Sequence, residues 1–370
     1  MRLWIVNLKK FGKAIYNEAL NFYVGWAKSF YCPPASLERN GERFVMNRQT
    51  SVFILTITGL ILLMLGGIEL LALFKIEPAL PSFPTTEKET VSFPRELRDA
   101  SGQTLVIATP PQRIVSQTLG TDEILFAISD SSRIVAVSVL AQDARYSNVV
   151  EKARMVGKQA TDSTELILSY YPDLIFVASY SRAETVELLQ ATGAPVFRFA
   201  HFRRIADIKS HIKTIGYAIG EDKRAAALIA QMEQDIKGIR ASIPPDANPP
   251  RVISYNQWGI TAGSNTTFDD ILRIAGARNV AAAHGVDGHI KLSSEQVIEW
   301  QADFIVTGAN QGEFDTARRQ LLKNPAIAAS DAGKAGRIIV IDNRYFLSVS
   351  QYIIYGIKKL SEKLYTVAEK

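Results

Sequence analysis

Cysteine and histidine are scarce in this chain. Its 370 residues include one cysteine and four histidines. A single thiol excludes a disulfide framework, a zinc knuckle and a protein-ligated iron–sulfur cluster. The histidines are too far apart along the chain to form a recognisable metal motif; they are His201, His211, His284 and His289.

The motifs of common enzyme classes are also missing. The chain has no G-x-S-x-G nucleophile elbow, no H-E-x-x-H zinc motif, no G-x-x-x-x-G-K-S/T phosphate loop and no G-x-G-x-x-G fingerprint. We therefore predict that the protein is not an enzyme and that any energy for transport comes from a partner.

Net charge is absent from most of the chain. The overall charge of +5 arises in residues 1–76, whereas residues 77–370 contain 33 Lys and Arg against 33 Asp and Glu. This neutral balance argues against a nucleic-acid-binding groove.

A long uncharged segment begins at Ser51. It runs for 18 residues, and the apolar pattern resumes over residues 70–74, enough to cross a bilayer. Eight Lys and Arg in residues 1–50 favour a cytoplasmic N-terminus. The sequence predicts a basic cytoplasmic segment over residues 1–50, one transmembrane anchor over 51–74 in the cytoplasmic membrane, and a periplasmic or extracellular remainder. The alternative is a cleaved signal peptide that starts at Met46.

Four prolines punctuate the segment after the anchor, which predicts a semi-extended linker over residues 75–94. The next segment, Arg95–Ile107, predicts a short hairpin that turns at Ala100-Ser101-Gly102.

The rest of the chain repeats itself. Each half contains a buried-strand string with a polar loop after it, and then a Glu that precedes an Asp by eight residues. The matching positions are Arg113–Ser116 with Arg251–Ser254, Glu165 with Glu295, and Asp173 with Asp303. We predict an α/β fold with two lobes, residues 95–221 and 244–370, each with a mostly parallel sheet flanked by helices.

Residues 222–243 predict one long helix that joins the lobes. Apolar residues recur there at three- and four-residue spacing, and Pro244-Pro245 would end the helix. A rigid helix about 30 Å long would leave a cleft between two lobes.

These features together resemble the class III substrate-binding proteins of ABC importers, which carry ferric siderophores, haem and cobalamin. The strings Thr164–Phe176 and Ser293–Val306 also carry the resemblance, which covers about residues 95–370. It implies a protein that captures a ferric siderophore, with an anionic chelate favoured, and delivers it to ABC permease subunits. It implies no cofactor of the protein's own, because the ferric iron is carried within the ligand.

The resemblance assigns a docking role to two acids. Glu165 and Glu295 match the glutamates with which the family's two lobes engage arginines of the permease. Two carboxylates far apart on one face would fix the register of that contact. The alternative is that each is a first-turn acid favoured by the helix dipole.

By analogy with the family, ligand contacts come from the loops that follow the strands. Three arginines in such loops would converge on an anionic chelate, because guanidinium groups pair well with delocalised oxyanions. The ligand-binding candidates are Ser116, Gln117, Arg145, Tyr146, Tyr180, Arg182, Trp258, His289, Arg344 and Tyr345.

Direct iron ligation is implied for a tetradentate siderophore only. His289 and Tyr345 lie at places similar to those of the histidine and tyrosine that complete the iron shell in catecholate-binding relatives, and His284 is the fallback.

Two other functions remain open. One is haem binding, with Tyr146, Tyr345 or a histidine as axial ligand. The other is a membrane-tethered sensor or scaffold with a degenerate cleft. Cobalamin is disfavoured because Lys158-Gln159 and His289-Ile290 occupy the places where the family's cobalamin binders have tryptophan.

Overall fold

The computed structural model of the chain describes residues 92–366. The predicted cytoplasmic segment, the predicted anchor over residues 51–74 and most of the predicted linker lie outside these residues. Within residues 92–366, no helix combines the length and the apolar character needed to cross a bilayer.

A small hairpin opens the described part of the chain. Strand β1 (Arg95–Arg98) pairs antiparallel with β2 (Thr104–Ile107), as the sequence predicts. The turn is stabilised by the Asp99 carboxylate, which accepts hydrogen bonds from the backbone N–H groups of Ser101 and Gln103 at 2.9 and 3.0 Å.

Five parallel strands form the sheet of the N-terminal lobe, in the order β5–β4–β3–β6–β7. The strands are β3 (Ile114–Ser116), β4 (Ile134–Ser138), β5 (Gln159–Ala160), β6 (Leu174–Ala178) and β7 (Val196–Phe199). The helices are α1 (Leu119–Ile128), α2 (Val150–Val156), α3 (Thr164–Ser169), α4 (Ala183–Ala191) and α5 (Ile205–Ile219), with 3-10 helices at Ser131–Arg133 and Val139–Gln142. Strand β6 is buried along its whole length, as is typical of parallel sheets covered on both faces.

The C-terminal lobe contains four parallel strands, in the order β10–β8–β12–β13, and an antiparallel pair of β9 with β11. The strands are β8 (Arg251–Ser254), β9 (Ile260–Ala262), β10 (Arg278–Asn279), β11 (His289–Lys291), β12 (Phe304–Ala309) and β13 (Ile338–Asp342). After α6 (Asp222–Ala241), the helices are α7 (Thr267–Ile274), α8 (Val280–Ala283), α9 (Ser294–Glu299), α10 (Phe314–Leu322), α11 (Pro325–Ala329), α12 (Asp331–Lys334), α13 (Asn343–Phe346) and α14 (Ile353–Thr366). The predicted α/β class with parallel sheets flanked by helices is confirmed.

Helix α6 (Asp222–Ala241) lies between the two sheets in the chain. It ends shortly before Pro244, and its buried residues are Ala225, Leu228, Met232 and Ile239. These side chains belong to one hydrophobic cluster that contains Ile114 of the first sheet and Val252 of the second. Both sheets therefore share a core through α6.

The internal repeat is present as a structural unit. Asp173 accepts a hydrogen bond from the backbone N–H of Arg113 at 2.8 Å, and Asp303 accepts one from that of Arg251 at 2.7 Å. In each half, the short helix and its C-cap are followed by a residue with a left-handed backbone conformation. These residues are Tyr171 (φ 49°) and Gln301 (φ 46°). Each carboxylate thus ties the start of β6 or β12 to the start of its neighbouring strand.

Candidate functional site

The loops after the parallel strands bring the two lobes into contact. Asn148, beyond β4, donates a hydrogen bond from Nδ2 to the backbone carbonyl of Arg344, beyond β13, at 2.9 Å. The backbone N–H of Ile205, beyond β7, donates to Asp270 on α7 at 2.9 Å. Because ligand sites of open α/β sheets lie beyond the carboxyl ends of the strands, this boundary is the place to look for a site.

A cavity of about 750 Å³ lies at this boundary. Tyr146 lines it from the N-terminal lobe, and the remaining wall belongs to the C-terminal lobe. The aromatic lining residues are Tyr146, Tyr255, Trp258, Phe268, His289 and Phe346, and the polar ones include Asn256, Thr307, Asn310, Glu313 and Asn343. None of the described residues that line this cavity is Lys or Arg. Its volume is within the range of small-molecule sites.

Several large apolar side chains are exposed directly after the strands of both sheets. They are Val139 and Leu140 after β4, Tyr180 after β6, Trp258 after β8 and Leu347 after β13. Trp258 is 65% exposed and Leu347 is 57% exposed. Grouped exposed apolar side chains mark binding sites more often than single ones do. Both lobes therefore present apolar surface beside their mutual boundary.

Three of the ten predicted ligand-binding residues line the cavity: Tyr146, Trp258 and His289. His289 lies on β11 and also lines a smaller neighbouring cavity of about 320 Å³. These residues come from three different segments, and the fold brings them to one space.

Ser116 and Gln117 are engaged inside the protein. Ser116 is fully buried, and its hydroxyl donates to the carbonyl of Thr118 at 3.3 Å. Gln117 donates to the carbonyl of Thr161 at 2.9 Å. Helix α1 begins two residues later, so there is no loop here to present these side chains. Tyr180 lies elsewhere on the boundary, with its ring centroid 6.5 Å from that of Phe202.

Each predicted arginine pairs with an acid close to it in the sequence. Arg145 pairs with Asp143 at 2.6 Å, Arg182 with Glu184 at 3.1 Å and Arg344 with Asp342 at 2.7 Å. The Arg145 guanidinium also lies 5.5 Å from the centroid of the Tyr146 ring. Arg145 therefore neighbours Tyr146 of the cavity wall, and Arg344 follows Asn343, which also lines the cavity.

The two predicted iron ligands occupy different environments. His289 faces the cavity, whereas the Tyr345 ring lies 5.6 Å from that of Tyr355 and outside the cavity lining. The fallback, His284, stacks on the buried Trp300 at 4.6 Å. Within residues 92–366, no cluster of three or more His, Cys, Asp or Glu could hold a metal ion.

Sequence reasoning missed the part of the wall that β12 provides. Thr307, Gly308, Ala309 and Asn310 line the cavity, because β12 extends to Ala309. A Cβ at Gly308 would lie 2.9 Å from Cδ1 of Phe346, so only glycine allows this close packing. In the sequence, this part of the wall could have been found from the polar residues that follow the apolar string of β12.

The two predicted docking acids occupy equivalent exposed positions. Glu165 and Glu295 are the second residues of α3 and α9, after N-cap serines Ser163 and Ser293 whose hydroxyls accept from the helix backbone. The pKa of Glu295 lies below its usual value, because its own backbone N–H and the Ser293 hydroxyl donate to the carboxylate. Both acids therefore present a carboxylate to solvent at the start of a short helix.

Two adjacent acids on α1 are fully buried, a feature the sequence did not predict. Burial raises the pKa of Asp122 from 3.8 to about 7 against opposing hydrogen bonds from Ser138. It also raises the pKa of Glu123 from 4.5 to about 7 against hydrogen bonds from Ser350 and Asn148. Asp122 bonds within its own lobe, whereas Glu123 bonds across the boundary.

Comparison with known families gives one model that spans most of the described chain. A family model described as periplasmic binding protein matches residues 114–345. These residues include both parallel sheets and the helix between them.

The individual proteins that match this chain have low sequence identity to it. A cobalamin-binding protein of Halobacterium salinarum is 24% identical over 291 residues, which are 77% of this chain and 78% of the relative. An ABC transporter substrate-binding lipoprotein of Bacillus subtilis, uncharacterised, is 25% identical over 287 residues, 75% of this chain and 88% of the relative. The solved structure of an apo periplasmic haem-binding protein from Roseiflexus sp. RS-1 is 29% identical, with a TM-score of 0.62, and covers 70% of this chain and 99% of its own.

Proposed function

The chain belongs to the periplasmic binding protein family, and we propose that it is the substrate-binding protein of an ABC importer, working outside the cytoplasm. Its role is binding and delivery, without catalysis. The cavity between the carboxyl ends of two sheets supports this role, and so do relatives named as ABC transporter or cobalamin-binding proteins.

The ligand we propose is ferric haem. The observation that carries this choice is the cavity lining, which is aromatic and polar, includes one acid (Glu313) and contains neither Lys nor Arg among the described residues. Such a wall suits a large planar macrocycle better than a trianionic chelate, because a buried anion needs paired cations. Tyr146 and His289 supply phenolate and imidazole, both known axial ligands of haem iron. Arg145, whose guanidinium lies 5.5 Å from the centroid of the Tyr146 ring, would pair with a propionate at the rim.

A ferric siderophore is the second candidate. Arg145 favours it, because its side chain is 63% exposed beside the cavity wall. Each of the three arginines would have to leave its acidic partner, Asp143, Glu184 or Asp342, to pair with the same ligand. Iron ligation by His289 with Tyr345 would likewise require Tyr345 to leave Tyr355.

Delivery is proposed to use Glu165 and Glu295, one on each lobe, against cations of the permease subunits. We also propose that residues 51–74 anchor the chain in the cytoplasmic membrane with the N-terminus inside. Tethering by the linker of residues 75–94 would keep the binding protein close to its permease.

Ligand titration tests this function. The full chain, purified in detergent, is titrated with ferric haem, a ferric tris-catecholate, a ferric hydroxamate and cobalamin, following tryptophan fluorescence and the visible spectrum. We expect saturable 1:1 binding of ferric haem with a Kd of about 1 μM or below, and a shifted haem spectrum in Tyr146→Phe or His289→Ala. Val106→Ala, an exposed change on the hairpin, is the control and should bind normally.

Tight binding of a siderophore or cobalamin without haem would replace the proposed ligand. Binding of none of the four would favour a sensor or scaffold.

A further inference from the structure

Glu123 of α1 is a buried acid with four hydrogen-bond donors around its carboxylate. Only 1% of the residue is exposed. Its Oε1 accepts from the backbone N–H and the side-chain Nδ2 of Asn148, at 3.0 and 2.8 Å. Its Oε2 accepts from the hydroxyls of Ser350 and Ser348, at 2.5 and 3.4 Å. Such a fully satisfied buried carboxylate holds its partners in fixed positions.

The two oxygens join different lobes. Asn148 belongs to the N-terminal lobe, whereas Ser348 and Ser350 follow α13 of the C-terminal lobe. Gln351 adds a further cross-boundary bond from its Nε2 to the backbone carbonyl of Glu123, at 3.0 Å. A single residue therefore organises most of the polar contacts between α1 and residues 348–351.

Close packing supports the same contact. A Cβ at Gly120, one turn before Glu123, would lie 2.7 Å from Cγ2 of Val349, so α1 approaches this segment as closely as glycine permits. Asn148 extends the contact to the backbone of Arg344 at 2.9 Å. Residues 343–351 are thus held against the N-terminal lobe at both ends.

The held segment is also part of the cavity wall. Asn343, Phe346 and Leu347 line the cavity, and each lies within five residues of Ser348. Glu123 and Asn148 form hydrogen bonds with Arg344, Ser348 and Ser350 of the same segment. Movement of this segment away from α1 would displace that wall.

We propose that Glu123 is a positioning residue of the ligand site: its carboxylate fixes residues 343–351 against the N-terminal lobe and so sets the shape of the cavity. This rests on the proposed function, because it takes the cavity as the ligand site. A protonated Glu123 accepts fewer hydrogen bonds and holds the segment less firmly.

Few charged groups face Glu123. Asp122 is its neighbour on α1, and Tyr352 follows the held segment, with a pKa raised by burial and by the Glu123 charge. Lys152 of α2 donates to the carbonyl of Phe126 at 3.0 Å, and Arg344 is paired with Asp342. Since the pKa of Glu123 is raised to about 7 mainly by burial, the acid changes charge near neutral pH.

The test compares Glu123→Gln with Asp122→Asn in the full chain. Asp122→Asn is the matched control, because Asp122 is equally buried on α1 but accepts hydrogen bonds from Ser138 and Ser116 of its own lobe. The first readout is hydrogen exchange of residues 343–352 without ligand. We expect at least tenfold faster exchange there in Glu123→Gln and no local change in Asp122→Asn. Equal exchange in wild type and Glu123→Gln would overturn the proposal.

The second readout is the Kd for ferric haem at pH 6 and pH 8. We expect the ratio of the Kd at pH 6 to the Kd at pH 8 to be about tenfold larger in wild type and in Asp122→Asn than in Glu123→Gln. A purely structural role would lower stability without abolishing this pH dependence, so an unchanged pH ratio in Glu123→Gln contradicts the proposal.

Two further outcomes remain informative. If Glu123→Gln does not fold, Ser350→Ala removes one donor from the C-terminal side only, and about threefold faster exchange of residues 343–352 is expected; no change refutes the proposal. If wild type does not bind ferric haem, the ligand assignment fails, while the exchange comparison still decides the role of Glu123.

Discussion

At the scale of single residues, burial of acids is the most consequential feature. Asp122 has no exposed surface, and its Oδ1 has no hydrogen-bond partner, whereas Oδ2 accepts from the backbone N–H and hydroxyl of Ser138 at 3.1 and 2.5 Å. A half-satisfied carboxylate in a dry environment is stabilised by protonation. Asp122 therefore links folding to pH.

The free energy of unfolding should fall as pH rises between about 4 and 7. The unfolded chain releases the Asp122 proton near 3.8, whereas the folded chain holds it until about 7, so the stabilisation is complete below pH 4 and lost above pH 7. We expect Asp122→Asn to reduce this fall by on the order of 4 kcal/mol. Urea unfolding at several pH values measures it, with Glu187→Gln on the exposed face of α4 as control. An identical pH profile in wild type and Asp122→Asn would contradict the effect.

The residue scale also explains which site residues could be predicted. Tyr146, Trp258 and His289 lie in loops or at a strand edge near the strand ends, where sequence reasoning looks for ligands. The environment of the three arginines was harder to predict, because each guanidinium pairs with an acid two residues away in the sequence. These arginines are Arg145, Arg182 and Arg344. The role of Glu123 could not be predicted, because its partners in the C-terminal lobe, Ser348 and Ser350, are 225 and 227 residues away along the chain.

At the scale of elements, the repeated helix and strand explain why the fold was predictable. The Glu-to-Asp interval of eight residues reflects a short capped helix, one left-handed residue and the start of a buried strand. Such a unit depends on local sequence, so its pattern survives in both halves. The lengths of the strands were less predictable, because the extension of β12 to Ala309 depends on pairing with β13.

Reversal of the two docking charges should separate delivery from binding. Glu165→Lys with Glu295→Lys places cations opposite the proposed permease cations, so we expect ligand uptake to fall at least tenfold in cells. The Kd for ferric haem should stay within about twofold, because neither acid lines the cavity. Uptake assays and titration measure the two quantities.

The matched control for this reversal is Glu187→Lys with Glu362→Lys. Glu187 and Glu362 are exposed acids of α4 and α14, one on each lobe. These changes alter the net charge equally and should leave uptake near the wild-type level. Equal loss of uptake in both double variants would mean that general charge, and not a docking contact, matters.

At the scale of the whole molecule, the core is shared between the lobes. The cluster that contains α6 includes residues of the five-stranded sheet, the four-stranded sheet and α14. A continuous apolar core favours cooperative unfolding, because neither lobe buries its inner face alone.

Truncation in α6 should therefore destabilise both lobes together. Leu228 is 2% exposed, and Leu228→Ala should lower the free energy of unfolding by about 2–5 kcal/mol while keeping one transition. Calorimetry and hydrogen exchange resolved by lobe measure this. Leu188→Ala, at an exposed position of α4, should change stability by less than about 0.5 kcal/mol. Two separated transitions, or exchange raised in one lobe only, would show that the lobes unfold independently.

The shared core has a consequence for how ligand-free and ligand-bound copies would compete for the proposed permease. Because the two lobes share a core, we expect Glu165 and Glu295 to keep nearly the same separation with and without ligand. In the proposed role, vacant copies would then occupy the permease almost as readily as loaded ones. The rate of import would then depend on the fraction of the binding protein that holds ligand. Overproduction of the binding protein when ligand is scarce would slow delivery.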